Sequence, residues 1–295
     1  LHLGSAATAL LTWLSARAAG GALVMRVEDI DTPRIVPGSE ARQLSDLRWL
    51  GLDWDEGPDV GGAHAPYRQS ERSDRYEAAL ADLGRRNLLY HCDCSRAEIA
   101  RVASAPHPGE EGPRYPGTCR DLGLAPRAFK RPPAIRLRVP ARVVSVDDPL
   151  QGPIAQDVAA TVGDFVLKRG DGVYAYQLAC VVDDLAMGVT EVVRGADLAG
   201  STPRQALLAE LLGATPPRYA HVPLVVSSDG SRLAKRARGV TLRDRRAAGE
   251  SAAGLVESLA RLLGLPPAQR PQDLLARFDR GALAGVREVR LPPTG

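Results

Sequence analysis

The chain has almost no lysine. Of its 38 Lys and Arg residues only Lys130, Lys168 and Lys235 are lysines. A lysine in that background is a chemical choice, because an ammonium is a compact point charge on a flexible stem and a guanidinium is a planar fork. Lys235 stands in the polar stretch Ser231-Arg232-Leu233-Ala234-Lys235-Arg236. On residue type alone that stretch reads equally well as a solvated basic loop. Cysteine is scarce too. Four cysteines, two of them in Cys92-Asp93-Cys94, argue against a disulfide framework and suit a metal site. No apolar run is long enough to cross a bilayer. Residues 6–19 are apolar, but Thr8, Ser15 and Arg17 interrupt them and no cleavage site follows, which argues against a signal peptide. A cytoplasmic protein with no membrane partner is the expectation. Charge of one sign is also lacking: the net charge is +3 and the arginines are spread along the chain. Any nucleic-acid contact must then come from a local patch. There is no internal repeat.

What is present points to nucleotide chemistry. Leu1-His2-Leu3-Gly4-Ser5 runs straight into an apolar helix. A His and a Gly at a helix N-terminus leave backbone N–H groups and the positive dipole end open to phosphate. A distant loop carrying one lysine can then deliver charge to a departing phosphate. After the first helix, Ala22-Leu23-Val24-Met25-Arg26-Val27 reads as a buried strand ending in Glu28-Asp29-Ile30-Asp31. Carboxylates at a strand's C-terminal end sit where ligands bind in open α/β sheets. Helices are predicted from about Ser39 (as cap) through Trp49, over residues 70–86, over 174–187, and from Thr202 (as cap) with Pro203 at the first helical position. Strands are predicted over 134–139, 165–167, 190–193 and 221–226, and two further helices over 252–263 and 271–278. The alternation predicts an α/β fold with a mostly parallel sheet.

Residues 88–133 differ in character. Tyr90-His91-Cys92-Asp93-Cys94 precedes a Pro/Gly-rich stretch and then Thr118-Cys119. Such an insertion cannot build a core of its own and needs a staple. Two thiolates on one short turn plus a distant Cys favour Zn²⁺ over hard cations. On donor chemistry alone His91 or His107 would be the fourth ligand, and free thiols are the bland alternative. Cys180, within Leu178-Ala179-Cys180-Val181, reads as a buried core thiol.

Over roughly residues 1–240 the sequence resembles class I glutamyl-tRNA synthetases. The matching blocks are Leu1-His2-Leu3-Gly4, Arg26-Val27-Glu28-Asp29-Ile30-Asp31, Tyr174-Ala175-Tyr176-Gln177-Leu178-Ala179 with Val182-Asp183-Asp184, Glu191 to Leu198, Thr202-Pro203-Arg204-Gln205 and Arg232-Leu233-Ala234-Lys235-Arg236. The resemblance implies a Rossmann-type fold, with His2 and Gly4 in the ATP-binding HIGH element and Lys235 as the KMSKS-type lysine. It implies catalytic roles for His2 and Lys235, a glutamate pocket lined by Glu28, Tyr176 and Arg194, and Mg²⁺ accompanying ATP. Within the family the chain is similar to a short paralogue that activates L-glutamate without tRNA and passes it to queuosine in tRNA(Asp). Only about 50 residues follow the signature loop, and the CxC followed by YxxxC matches that paralogue's structural zinc site. The likeness implies Cys92, Cys94, Tyr115 and Cys119 as ligands, with His107 the alternative to Tyr115. Physically, a Glu at a strand end can take an α-ammonium, and an Arg offers a fork for a carboxylate. Asp183 and Asp184 read as caps or polar-edge residues outside the site.

Two departures stand out. The family's Arg and Pro/Ser-rich turn before the first motif are not in this sequence, whose start reads as truncated or misassigned; and Arg232 and Ala234 replace a Lys and a Ser in the signature loop. The expected organisation is a catalytic domain in two halves, 1–87 and 134–245, a zinc-binding insertion at 88–133, and a short helical region at 246–295 without a full anticodon-binding domain, the whole a monomer. The competing functions are a truncated glutamyl-tRNA synthetase core charging a tRNA 3′ end, and an inactive paralogue that only binds tRNA.

Overall fold

The computed structural model describes residues 1–31, 35–102, 113–231, 233 and 241–292. Lys235, its neighbours Arg232, Ala234 and Arg236, and His107 lie outside the described residues. The first helix, α1 (Leu3–Ala18), buries Leu3, Ala6, Ala7, Leu10, Leu11, Trp13 and Leu14. That spacing covers more than a single stripe, which suits a helix enclosed on several sides. It stops at Gly20, whose φ of 65° no side chain adopts easily, and the Gly21 N–H closes onto the Ala16 carbonyl at 2.8 Å. Helix α2 (Ser39–Trp49) follows, then α3 (Ser73–Arg85). Next come β1 (Leu89–Cys92), α4 (Arg96–Val102), β2 (Ala134–Leu137), β3 (Val143–Val146), β4 (Ile154–Asp157), α5 (Val158–Thr161) and β5 (Val166–Lys168). The chain continues through α6 (Tyr176–Ala186), β6 (Glu191–Gly195), α7 (Thr202–Leu211), β7 (Arg218–Val222) and β8 (Leu224–Val226). It closes with α8 (Leu242–Ala247), α9 (Ala252–Leu262), α10 (Pro271–Leu275) and β9 (Glu288–Arg290). None of these helices is long and apolar enough to cross a membrane.

The mixture of α and β is as expected, but the parallel pairing is narrower. Among the described residues, β6–β7 and β8–β9 pair in parallel, while β1–β2–β5 and β3–β4 are antiparallel. The strand read over 221–226 divides at Pro223, which has no N–H to extend a ladder. Residues 22–27 are extended yet form no strand. They make single parallel bridges, Val24 to Glu56 and Val27 to Arg68, because two loops and not one strand lie beside them. Four helix starts also shift, and the helix expected from residue 174 begins at Tyr176. Gly38, in a left-handed conformation at φ 72°, is the cap before Ser39. A 3₁₀ turn, Gln69–Glu71, precedes α3, and Ser201, not Thr202, caps α7.

Two apolar cores result. One gathers α1 with Val222, Val225, Leu233, Leu242 and the inner face of α9. The other gathers α3, α6 and α7 around Leu137, Val144 and Leu167. Strand β6 lies between them: Thr12 of α1 donates to the Val193 carbonyl at 3.2 Å, and the next residue, Arg194, turns toward α7.

Candidate active site

The two motifs read at opposite ends of the sequence meet in space. His2 forms a bridge with Thr241, and the Leu242 N–H donates to the Leu1 carbonyl at 2.9 Å. Leu233 of the signature stretch is buried, and its methyl lies 3.8 Å from where a Cβ on Gly4 would stand. The nearest atom to that Cβ position, on Val225, is 3.7 Å away, so no protein atom demands glycine there. His2 precedes α1 with extended backbone, and its buried Nδ1 has no protein partner among the described residues.

Glu28 and Cys180 are in contact, and with Arg194 they act on the Tyr176 phenol. The Cys180 thiol is buried, as expected, but it also donates to the Glu28 carboxylate at 3.4 Å. Arg26 reaches the same carboxylate at 3.3 Å and Asp184 at 2.6 Å. Glu28 is thus oriented by a neutral thiol and a shared cation while its side chain stays 44% exposed. Burial, Cys180 and Glu28 push the Tyr176 phenol up, with Arg194 opposing, so the ring carries a proton to donate. Burial raises Asp184 as well, against the pull of Arg26. The part played by Arg26 is not evident from the sequence, although it opens the motif that contains Glu28.

Arg194 is less open than a free fork. Its Nε–H donates to His221 Nε2 at 3.1 Å, and Nη1 donates to Gln205 at 2.6 Å. Nη2 donates to Thr202 at 2.8 Å and to the Leu198 carbonyl at 3.3 Å. A guanidinium has five N–H groups. One, on Nη1, is left among the described residues, which allows a single-point contact to a carboxylate and not a bidentate clamp.

Asp183 proves to be a buried anchor, neither cap nor edge. Its carboxylate accepts from Arg72 at 2.5 Å, Tyr76 at 2.7 Å and Gln69 at 2.9 Å. The Arg72 and Asp183 side chains are both 0% exposed. The set fastens α6, and with it Tyr176 and Cys180, onto α3. Beside Glu28, a cleft of about 510 Å³ opens between residues 25–31 and α2, with Asp29, Asp31, Ile35 and Val36 on its walls.

The insertion has a small core of Tyr90, Cys92, Ile99, Tyr115 and Cys119. The sulfur atoms of Cys92, Cys94 and Cys119 all lie within 4.8 Å of one another, close enough to hold one metal ion. The Tyr115 hydroxyl oxygen accepts from Cys92 Sγ at 3.3 Å and from the Cys119 N–H at 2.9 Å, which brings the fourth expected ligand to the cluster. His91 stands apart, with its ring edge on Phe129. Burial and the neighbouring thiols push Cys94 up to about 12; burial also raises Cys92, but Tyr115 and Arg136 bring it below its ordinary value. Three thiols so close favour a cation that draws off their protons. Gly163, at φ 75°, places its Cα where an added Cβ would fall 2.4 Å from the Tyr115 carbonyl oxygen. Gly163→Ala is expected to cost on the order of 1–3 kcal/mol and to loosen this module first. Hydrogen exchange would check it, with faster exchange over 113–123 than in wild type.

Comparison with known proteins shows the family. The family of class I (E and Q) tRNA synthetase catalytic domains matches residues 1–277, and the chain belongs to that family. Two glutamyl-Q tRNA(Asp) synthetases are similar over nearly the whole chain. That of Symbiobacterium thermophilum is 50% identical over 99% of this chain and 92% of its own length. That of Nocardia farcinica is 52% identical over 96% and 87%. Among solved structures, a glutamate tRNA ligase from Elizabethkingia meningosepticum, in complex with its amino acid, is 27% identical with a TM-score of 0.82. The alignment covers 98% of this chain but 64% of that ligase.

Proposed function

We propose that this chain activates glutamate with ATP, without tRNA, and transfers the glutamyl group to queuosine in tRNA(Asp). The observation that carries the reading is that Glu28, Cys180 and Arg194 all act on Tyr176, in a chain whose first helix also packs against Leu233. Relatives that share half of its residues act, by name, on tRNA(Asp). They align over 92% and 87% of their own length, and the glutamate tRNA ligase over 64% of its own, which supports the queuosine reading over charging of a tRNA 3′ end.

In this reading Glu28 takes the α-ammonium of glutamate, and Tyr176 and the free N–H of Arg194 hold carboxylate oxygens. The α-carboxylate attacks the α-phosphate of ATP, the bond to the β,γ-phosphates breaks, and pyrophosphate leaves. His2, the α1 N-terminus and Lys235 meet the charge that develops on the phosphates. Mg²⁺ arriving with ATP supplies further charge neutralisation on the phosphate oxygens. A hydroxyl of the modified base then attacks the mixed anhydride and releases AMP. None of these steps needs a covalent nucleophile from the protein.

Zn²⁺ fits the donor set of Cys92, Cys94, Cys119 and Tyr115, in a structural role. Chelation is expected to release one metal ion per chain and abolish exchange protection over 89–102 and 113–123 while α1 and α6 stay protected. Loss of protection throughout the chain would contradict a local role. The activity is tested by glutamate-dependent ATP–pyrophosphate exchange without tRNA, using glutamine and aspartate as controls. Exchange that appears only with tRNA would overturn the reading.

A further inference from the structure

Behind Arg194 lies a buried chain of groups that the proposed chemistry does not use. His221 and Asp148 side chains are both 0% exposed, and His221 Nδ1 lies 2.5 Å from Asp148 Oδ2. The His221 backbone N–H donates to the same oxygen at 2.9 Å. On the other side of the ring, Nε2 faces Arg194 Nε at 3.1 Å and Thr202 Oγ1 at 3.0 Å. Arg194 Nε can only donate, so Nε2 must accept. Asp148 carboxylate can only accept, so Nδ1 must carry the proton. One tautomer satisfies both contacts, and a second ring proton would set an N–H against the guanidinium. Burial, first, and Arg194 hold His221 below its ordinary value, against Asp148, consistent with a neutral ring. Asp148 is held in turn, because its other oxygen accepts the Leu150 and Gln151 N–H groups at 2.7 and 2.9 Å.

Arg194 has a flexible stem, yet its guanidinium is fixed in plane and roll by four donations. Gln205, Thr202 and Leu198 take the two terminal nitrogens. Only His221 takes Nε, the atom that sets the direction of the plane. We propose that His221, with its tautomer set by Asp148, is a positioning residue for amino-acid recognition. It orients Arg194 so that the one remaining N–H on Nη1 meets a glutamate carboxylate. His221 itself touches no substrate. This inference rests on the glutamate-activation reading given above.

Two substitutions divide the ring's two contacts. His221→Asn places an amide where Nδ1 stands, keeping the bond to Asp148 and losing the acceptor for Arg194. His221→Gln reaches the Nε2 position and keeps an acceptor for Arg194. In pyrophosphate exchange, H221N is expected to raise KM for glutamate about 10- to 100-fold, the range of one lost hydrogen bond to a charged group. Its kcat and its KM for ATP should stay within about threefold, as for a loss of ground-state binding. H221Q should keep its KM for glutamate within about threefold of wild type. Equal KM values for the two variants, or a loss confined to kcat, would overturn the proposal. A ¹⁵N spectrum of the wild-type imidazole provides a readout that needs neither variant nor activity. It should show the neutral Nδ1–H tautomer, and the Nε2–H tautomer or a doubly protonated ring at neutral pH would equally overturn the proposal. Absence of exchange in wild type, with the expected tautomer present, would instead mark failure of the activity reading.

Discussion

Asp183→Asn is expected to destabilise the protein by about 3–5 kcal/mol, the cost of breaking a buried ion pair by removing one charge. Arg72 would keep its donations to the His64 and Pro66 carbonyls at 3.1 and 2.7 Å but lose its only anionic partner among the described residues. The damage exceeds the lost charge. Tyr76 and Gln69 both donate to Asp183 Oδ2, and an asparagine NH₂ turned that way would face two donors. For a chain of this size the melting temperature should fall by on the order of 10 °C. The double variant Arg72→Met, Asp183→Leu should recover part of that loss, because a well-packed apolar pair of similar volume avoids the unpaired charge. Equal melting temperatures for D183N and wild type would mean the network holds nothing together. Because α6 carries Tyr176 and Cys180, the same variant should also weaken glutamate binding before it unfolds.

Glu28→Gln should raise KM for glutamate by about 10- to 100-fold while the fold is retained. The substituted amide would keep the size of the side chain and an oxygen for the Cys180 thiol, and Arg26 would keep Asp184 at 2.6 Å. What disappears is the negative charge proposed to meet the α-ammonium, a charge-assisted bond worth about 1.5–3 kcal/mol. Its exposure sets the size of the effect: at 44% exposed Glu28 is screened by water until substrate closes over it. Steady-state exchange at varied glutamate and saturating ATP reads the effect directly. An unchanged KM with a lowered kcat would move Glu28 from binding to the chemical step.

Much of this site is legible in the sequence because its residues stand in short local blocks. Glu28 follows Arg26-Val27, Tyr176 opens α6, and the cysteines flank one turn and one loop. The partners that give those residues their properties are not legible, because they arrive from far along the chain. Asp148 meets His221 across 73 positions and Asp183 meets Arg72 across 111. Asp183 reads as a cap or edge residue because aspartates usually occupy such places, and nothing local signals that Arg72, Tyr76 and Gln69 will enclose it. Arg194 reads as an open fork for the same reason. The apolar run 22–27 has the period of a strand, but the loops beside it offer only single bridges. Gly38, placed at a left-handed φ, decides the start of α2 ahead of Ser39. The Pro223 break is visible as a residue, though its consequence, two parallel pairs in place of one longer strand, depends on where β6 and β9 lie.

The central claim is that activated glutamate goes to the modified base and not to the tRNA terminus. Transfer of radiolabelled glutamate to three forms of tRNA(Asp) tests it most directly: one bearing queuosine, one bearing queuosine but lacking the 3′-terminal adenosine, and one with unmodified guanosine at the wobble position. Label is expected on the first two and none on the third. Label that requires the terminal adenosine and ignores the queuosine would contradict it.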